Sequence, residues 1–240
     1  MRMQPKNTGL IGVGKWGKIL KEKVANNSNL IFVANSKSKY IKNLKNIDWV
    51  FIATPDKTHE KIVNICLKKK INIFCEKPLT KSFIDSKHLF LKAEKLGIKL
   101  FIDEIQSYTN KKIKLKKINF ISRKKEGFGD PKNLLYRFAY HDFYFLYEKL
   151  HKKKIKEIKI IDSSKDLKFY IKYKSLVLNF DYSLNSKKKT HFINSVSLIT
   201  KKDILSKMVV DVLNEKANFS LNKKKSLFAN KLIDQIKSLL

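Results

Sequence analysis

A glycine-rich segment near the start of the chain constrains the fold more than any other feature. The pattern G-x-G-x-x-G is made by Gly12, Gly14 and Gly17, with Lys15 and Trp16 between them. It follows an apolar run, Gly9–Val13, that predicts a buried strand, and it opens a segment of helical periodicity, Gly14–Ala25. In this strand–turn–helix setting the pattern predicts a dinucleotide site, because the N–H groups that begin the helix bind a pyrophosphate.

The pattern that follows predicts an α/β fold with two domains. Further apolar runs alternate with helical patterns at Leu30–Ala34, Asp48–Ala53, Ile71–Cys75 and Ile98–Ile102. Strands that alternate with helices indicate βαβ units and a parallel sheet, so residues 1–104 are expected to form a Rossmann domain. Beyond residue 104 the pattern changes to period-two alternation with an aromatic-rich helix at Leu134–Leu150, which predicts a smaller α+β domain, 105–240, with a mostly antiparallel sheet.

The charge of the chain first suggests nucleic acid, but its lysine content does not. Lys and Arg number 53 against 21 Asp and Glu, a net charge of +32, yet three of the 53 are arginine. Base edges and phosphates are read best by guanidinium groups, so a selected nucleic-acid surface would be richer in arginine. Lys, Asn and Ile have AT-rich codons, and the dispersed lysines indicate genomic base composition. We therefore expect no specific nucleic-acid partner.

Several classes of protein are excluded by absences in the sequence. Cys66 and Cys75 are too few for a disulfide framework or a zinc site, so no metal is expected. No run of about 18 apolar residues predicts a membrane span. The segment Met1–Thr8 lacks the apolar core of a secretory signal. The expectation is a cytoplasmic protein without membrane association.

The end of the second strand bears on the type of dinucleotide. A carboxylate normally binds the ribose hydroxyls at this place, but the sequence has Asn35, Ser36 and Lys37. Asn35 can hydrogen-bond a ribose, and Ser36 and Lys37 can receive a 2′-phosphate without repulsion. The pattern favours NADP over NAD, and the alternative is a simple polar turn.

Two further polar blocks follow the third and fourth strands. Thr54, Pro55 and His59 come after the third, and Glu76 and Lys77 end the fourth. Because open α/β sheets place their ligands at the carboxyl ends of the strands, we expect all five to contact the cofactor.

The chain resembles the Gfo/Idh/MocA oxidoreductase family, which includes glucose–fructose oxidoreductase and inositol dehydrogenase. The resemblance covers Thr8 to about Tyr147 and rests on the segments GVGKWGK, ATPDKTHEKIVNICLKKKINIFCEKPLTKS and YRFAYHDFYFL. It implies hydride transfer between NAD(P) and a sugar, nucleotide sugar or polyol. It also implies an open C-terminal sheet through which a homo-oligomer can form.

The resemblance assigns roles to particular residues of this chain. Lys77 matches the lysine that stabilises negative charge on the substrate oxygen, and His141 matches the general acid/base. Asp142 is expected beside His141 as an orienting or substrate-binding carboxylate. Arg137 stands where many members carry an aspartate, one helical turn before the histidine, and it could bind an anionic substrate.

Departures from the family pattern leave a second interpretation of the function open. The link from the second strand to the third, Ser36–Ile47, is short, and the second domain is reduced. With Arg137 in place of the aspartate, the chain could instead be a catalytically degenerate protein that still binds a dinucleotide or sugar. A His141 buried among aromatic residues for structural reasons is the corresponding alternative for that residue.

Overall fold

The fold is described from a computed structural model that covers residues 4–35, 38, 40–109, 111–127, 129–200 and 202–240. Its strands are β1 (Asn7–Ile11), β2 (Asn29–Ala34), β3 (Trp49–Ile52), β4 (Asn72–Cys75), β5 (Leu100–Ile102), β6 (Ile118–Glu126), β7 (Ile155–Asp162), β8 (Leu167–Tyr173), β9 (Val177–Ser183), β10 (Asn185–Ile193) and β11 (Val196–Ser197). Its α-helices are α1 (Lys15–Ala25), α2 (His59–Lys68), α3 (Phe83–Lys95), α4 (Tyr140–Leu150), α5 (Ile204–Leu213) and α6 (Phe219–Lys237).

The first compact unit contains a five-stranded sheet in the order β2-β1-β3-β4-β5, with every neighbouring pair parallel. The predicted Rossmann-type parallel sheet with helices is confirmed. Between β2 and β3 the described chain forms only a short 3-10 helix, Tyr40–Leu44.

Both faces of this sheet are covered along β1, β3, β4 and β5, which explains why these strands are continuous apolar runs. Along β3, Trp49 and Phe51 face the cluster that contains α1 and α5, while Val50 and Ile52 face the cluster that contains α2 and α3. All four side chains are fully buried. The period of two along the strand thus places alternate residues in two separate cores.

The unit boundaries differ from the single boundary expected at 104/105. The chain divides into one unit of 1–108 with 203–227 and another of 109–202 with 228–240. The first break lies close to the expected one, but residues 203–227 return to the first unit. The physical reason is α5, whose Met208, Val209 and Val212 are fully buried in the same core as Leu10 and Phe51.

The second unit contains a six-stranded sheet in the order β11-β10-β6-β9-β8-β7. Its pairs are antiparallel except for β6 and β9, which run parallel. The core is built from alternate strand residues such as Phe169 and Phe180, whose rings stack at 4.5 Å, and from the apolar face of α4. The predicted second, mostly antiparallel sheet is confirmed.

Two further facts concern the helices. Helix α6 passes from one unit to the other, with the division between Leu227 and Phe228. Within the described residues, no helix is both long enough and apolar enough to cross a membrane.

Candidate dinucleotide-binding site

The glycine loop is built so that two of its glycines cannot be replaced without a clash. Gly12 has φ +113°, and a Cβ there would lie 2.4 Å from the carbonyl carbon and oxygen of Ala53. A Cβ on Gly17 would lie 2.1 Å from the carbonyl oxygen of Gly12. Gly14 differs, because nothing lies within 4 Å of its Cβ position. The loop therefore packs tightly on β3 and α1 while its middle glycine faces open space.

An open cavity of about 400 Å³ lies over this loop. The residues that line it are Gly12, Val13, Gly14, Lys15, Trp16, Asn35, Ala53, Thr54 and Pro55. They follow the carboxyl ends of β1, β2 and β3, where the strand order reverses direction around β1. In a doubly wound sheet, this reversal is the place where a nucleotide binds.

The start of α1 gives the cavity its anion-binding character. Gly14 caps the helix without a side-chain hydrogen bond, and no acidic residue occupies the first turn. The first N–H groups of a helix have no intrahelical partner and carry partial positive charge. Together with the space above Gly14, these features fit a dinucleotide pyrophosphate.

The ribose end of the cavity is described only in part. Asn35 lines the cavity, and its Oδ1 accepts a hydrogen bond of 3.0 Å from the hydroxyl of Ser38. The Ser38 hydroxyl oxygen in turn accepts from the Asn35 backbone N–H at 3.1 Å. Ser36 and Lys37, expected to receive a 2′-phosphate, lie outside the described residues.

His59 is buried inside the first unit, with 1% of its surface exposed, and it links two loops. Its Nδ1 lies 2.8 Å from the carbonyl oxygen of Pro78 and its Nε2 lies 2.8 Å from that of Thr54. The ring therefore joins the loop after β3 to the loop after β4. The expected contact of His59 with a cofactor stays a prediction.

Glu76 and Lys77 directly follow β4 and lie beside Asp103, a carboxylate for which the sequence predicted no role. Glu76 Oε2 accepts the backbone N–H of Lys77 at 2.9 Å, and the Glu76 carboxyl is hydrogen-bonded to that of Asp103. Asp103 Oδ2 also accepts the indole N–H of Trp16 at 3.0 Å. Burial raises the pKa of Glu76 well above its ordinary value, and the charge of Asp103 raises it further.

In the second unit, His141 and Asp142 are both buried at the start of α4. Asp142 has no exposed surface, and its oxygens accept from the Tyr182 hydroxyl at 2.7 Å and meet the His191 Nε2 at 2.6 Å. Asp142 thereby joins β9 and β10 to α4, and its expected contact with a substrate stays a prediction. His141 is 9% exposed, with its ring edge-on to that of Tyr140.

Arg137 lies in a π-helical turn, Leu135–Ala139, that directly precedes α4. Its expected relation to His141 stays a prediction. The Arg137 guanidinium lies against the glycine-containing loop after β6, within 3.5 Å of the Cβ positions of Gly127 and Gly129.

The sequence did not predict the hydrogen bonds of three residues, because their partners are distant along the chain. Asp103, Tyr182 and His191 are each far in sequence from the groups they bind, 87 residues in the case of Trp16 and Asp103. A carboxylate directly after a buried strand was the available signal for Asp103. Among the described residues, no group of three His, Cys, Asp or Glu is arranged to hold a metal ion.

Comparison with known families finds a match to the N-terminal part of the chain. The model of the Gfo/Idh/MocA family, described as an oxidoreductase family with an NAD-binding Rossmann fold, matches residues 3–104. A myo-inositol 2-dehydrogenase from Thermotoga maritima is 25% identical over 114 residues, which cover 39% of this chain and 34% of that protein. An inositol 2-dehydrogenase from Mycolicibacterium vanbaalenii is 38% identical over 56 residues, 23% of this chain and 16% of that protein. These alignments thus span about a third or less of the curated relatives.

Comparison of the folds extends over the whole chain. A UDP-N-acetylglucosamine 3-dehydrogenase from Acidithiobacillus ferrooxidans superposes with a TM-score of 0.80, covering 99% of this chain and 98% of that one. The sequence identity is 15%, so the similarity concerns the fold.

Proposed function

We propose, from the match of residues 3–104 to the model of the Gfo/Idh/MocA oxidoreductase family, that this chain is an NAD(P)-dependent oxidoreductase of carbohydrate-like substrates. The observation that carries the proposal is the cavity over the glycine loop, at the strand-order reversal of a parallel sheet. The substrate class is a sugar, nucleotide sugar or polyol with a secondary alcohol. Similarity to an inositol dehydrogenase and to a nucleotide-sugar dehydrogenase supports this class.

Different residues around the cavity would bind different parts of the dinucleotide. The N–H groups at Gly14, Lys15 and Trp16 would bind the pyrophosphate, and Asn35 would hydrogen-bond a ribose. Thr54 and Pro55 would line the side formed by β3. The bound nicotinamide supplies the hydride acceptor or donor.

Two residues of the chain would act on the substrate itself. The Lys77 ammonium would stabilise negative charge that develops on the substrate oxygen, and the His141 imidazole would take or return the hydroxyl proton. Arg137 would bind an anionic group of the substrate. The roles of Lys77 and His141 follow from positions that they share with the family's motifs, and that of Arg137 from its charge at a position where many members carry an aspartate.

The roles of Lys77 and His141 are tested by paired substitutions. Lys77→Ala and His141→Ala should each lower kcat by about a hundredfold or more, because each removes a group that acts on the reacting oxygen. The matched controls are exposed residues of the same type, Lys57→Ala and His151→Ala, which should leave the rate unchanged. Equal rates for His141→Ala and His151→Ala in a dehydrogenase assay would refute the assignment of His141.

Cofactor preference is a further part of the proposal, and it favours NADP. No carboxylate follows β2, so a 2′-phosphate meets no repulsion there. Asn35→Asp should weaken NADPH binding more than NADH binding, by about tenfold in the ratio of Kd values, as measured by nicotinamide fluorescence. If the variant leaves this ratio unchanged, Asn35 does not face the ribose.

A homo-oligomer would form through the sheet of the second unit. The outward side of β6 exposes Ile118 and Phe120 by 54% and 63%, an unusual exposure for large apolar side chains. Phe120→Glu should shift the chain toward monomer in light scattering, while Lys124→Glu on the same strand should not.

A second candidate function is binding without turnover, and Arg137 in place of the usual aspartate favours it. Binding of NADH or NADPH with no turnover of myo-inositol, UDP-N-acetylglucosamine or related substrates would support this candidate. Binding of neither dinucleotide would refute both functions.

A further inference from the structure

Two carboxyl groups bonded to each other lie where β4 and β5 end. Glu76 and Asp103 are hydrogen-bonded through their side chains, and the backbone N–H of Asp103 donates to the carbonyl oxygen of Cys75 at 2.7 Å. An ionised carboxylate accepts hydrogen bonds but has no proton to donate. One of the two groups must therefore be a protonated acid.

The surroundings favour Glu76 as the group that carries the proton, because Asp103 also accepts the indole N–H of Trp16. Burial raises the pKa of Glu76 well above its ordinary value. Burial also raises the pKa of Asp103, but hydrogen bonds from Glu76 and Trp16 stabilise its ionised form. The other titratable groups that face the pair are the Lys77 ammonium, which favours ionisation of both, and the Cys75 thiol, whose own pKa is raised well above normal by burial.

We propose that Glu76 and Asp103 are positioning residues that share one proton and thereby hold Trp16 at the dinucleotide cavity. Asp103 fixes the indole through its N–H, and Trp16 is one of the residues that line the cavity. Glu76 keeps Asp103 in place by donating to it, and it fixes the Lys77 backbone by accepting its N–H. The importance of this pair for cofactor binding rests on the proposed function.

Loss of the shared proton would undo this arrangement. Two ionised carboxylates in contact repel each other, and the Glu76–Asp103 hydrogen bond disappears. Trp16, which lines the proposed cofactor site, would then be bonded to a pair of like charges. Dinucleotide affinity should therefore fall as the pH rises through the titration of Glu76.

The first experiment follows Trp16 without any dinucleotide. The chain has two tryptophans, so Trp49→Phe leaves Trp16 as the single reporter; Trp49 is buried, and its indole N–H has no hydrogen-bond partner among the described residues, so this change removes no bond. Trp16 emission should change with rising pH, and Glu76→Gln in the same background should abolish the change. The matched control, Trp16→Phe with Trp49 retained, should show no transition.

The second experiment measures NADPH and NADH affinity across the same pH range. In the unmodified protein the affinity should fall about tenfold, equivalent to about 1.4 kcal/mol. Glu76→Gln should show a flat pH profile and bind more tightly than Glu76→Ala, because the amide donates to Asp103 and accepts from Lys77 as the neutral acid does. Glu76→Ala should bind weakly at every pH, and this contrast separates proton sharing from a purely structural need for Glu76.

The two experiments distinguish the failure of each proposal. A pH transition of Trp16 that Glu76→Gln removes, with no dinucleotide binding, supports the shared proton and refutes the proposed function. Dinucleotide binding that is independent of pH, with no Trp16 transition, refutes the shared proton alone. Infrared spectroscopy of the unmodified protein at neutral pH provides a direct check: absence of a protonated-carboxyl band that Glu76→Gln would remove overturns the proposal whether or not the variants fold.

Discussion

At the scale of single residues, the glycines of the loop meet different physical demands. A side chain at Gly17 would collide with the backbone oxygen of Gly12, which cannot move without shifting β1. A side chain at Gly14 would enter only open space, and the backbone there is extended with φ −65° and ψ −175°. Gly17 is thus required for packing, whereas Gly14 leaves room for a ligand.

This difference predicts opposite results for two alanine substitutions. Gly17→Ala should destabilise the protein by about 2 kcal/mol, because overpacking against backbone forces a shift. Gly14→Ala should leave the urea midpoint nearly unchanged and weaken dinucleotide binding by about tenfold. Urea unfolding and nicotinamide fluorescence measure the two effects, and equal loss of stability in both variants would contradict the assignment.

A buried acid also predicts how stability depends on pH. The folded-state pKa of Glu76 is raised, so the folded protein binds this proton more tightly than the unfolded chain. Stability from this source is fully present below the ordinary value of 4.5 and is lost as the pH rises through the folded-state pKa. The free energy of unfolding should therefore fall with pH in this window, and the fall should be smaller in Glu76→Gln, as measured by urea titrations at several pH values.

The individual residues also show the limits of sequence reasoning. The glycine pattern predicts the loop because its three glycines lie within six residues of each other. The Trp16–Asp103 bond joins residues 87 positions apart, so it depends on which strands become neighbours. Arg137 illustrates another limit, since the helical spacing is α-like in the sequence but the segment is a π-helix.

At the scale of secondary-structure elements, the edge strand β5 is completed by a side chain. The Asn222 amide accepts from the Ile102 N–H and donates to the Ile102 carbonyl, both at 2.9 Å. Asn222 is 3% exposed and Ile102 is fully buried, so water cannot replace these bonds. One amide therefore takes the place of a sixth strand at this point.

Replacing this amide should be costly. Asn222→Ala leaves a buried N–H and a buried carbonyl without partners and should lower the free energy of unfolding by about 2–4 kcal/mol. Asn64→Ala on α2, where the amide donates to Glu60 in an exposed position, should cost less than about 0.5 kcal/mol. Thermal or urea unfolding compares the two, and equal effects would show that β5 does not depend on Asn222.

The elements differ in how well their sequence predicts them. Strands β1, β3, β4 and β5 are buried on both faces, so their apolar runs stand out from the lysine-rich background. Helix α5 was missed although its face of Leu205, Met208, Val209 and Val212 has helical spacing. Periodicity shows that such a face must be covered, but not which sheet covers it.

At the scale of the whole molecule, the net charge of +32 opposes compaction. Its lysines are mostly exposed, and several of the ion pairs within the described residues join partly exposed groups, such as Lys81–Asp56 and Lys207–Asp211. Self-repulsion of this kind is screened by salt. The charge thus acts on stability and association more than on the choice of fold.

Salt should therefore stabilise this chain. Raising NaCl to about 0.5 M should increase Tm, because the Debye length falls to a few ångströms and lysine repulsion is screened. Any binding to DNA should be lost over the same range, since it would depend on counterion release. Calorimetry and a DNA-binding titration test both outcomes, and a Tm that falls with salt would show that attractive pairs dominate.

The return of residues 203–227 to the first unit has a consequence for biosynthesis. During translation, roughly 5–20 residues per second emerge, so α5 becomes available several seconds or more after β5. Until then the face of the nascent sheet that carries Leu10, Phe51 and Phe74 lacks the helix that covers it in the finished protein. The first unit is thus the first to be made but cannot be completed until residues 203–227 have emerged, and until then its sheet exposes apolar surface of the kind that chaperones bind.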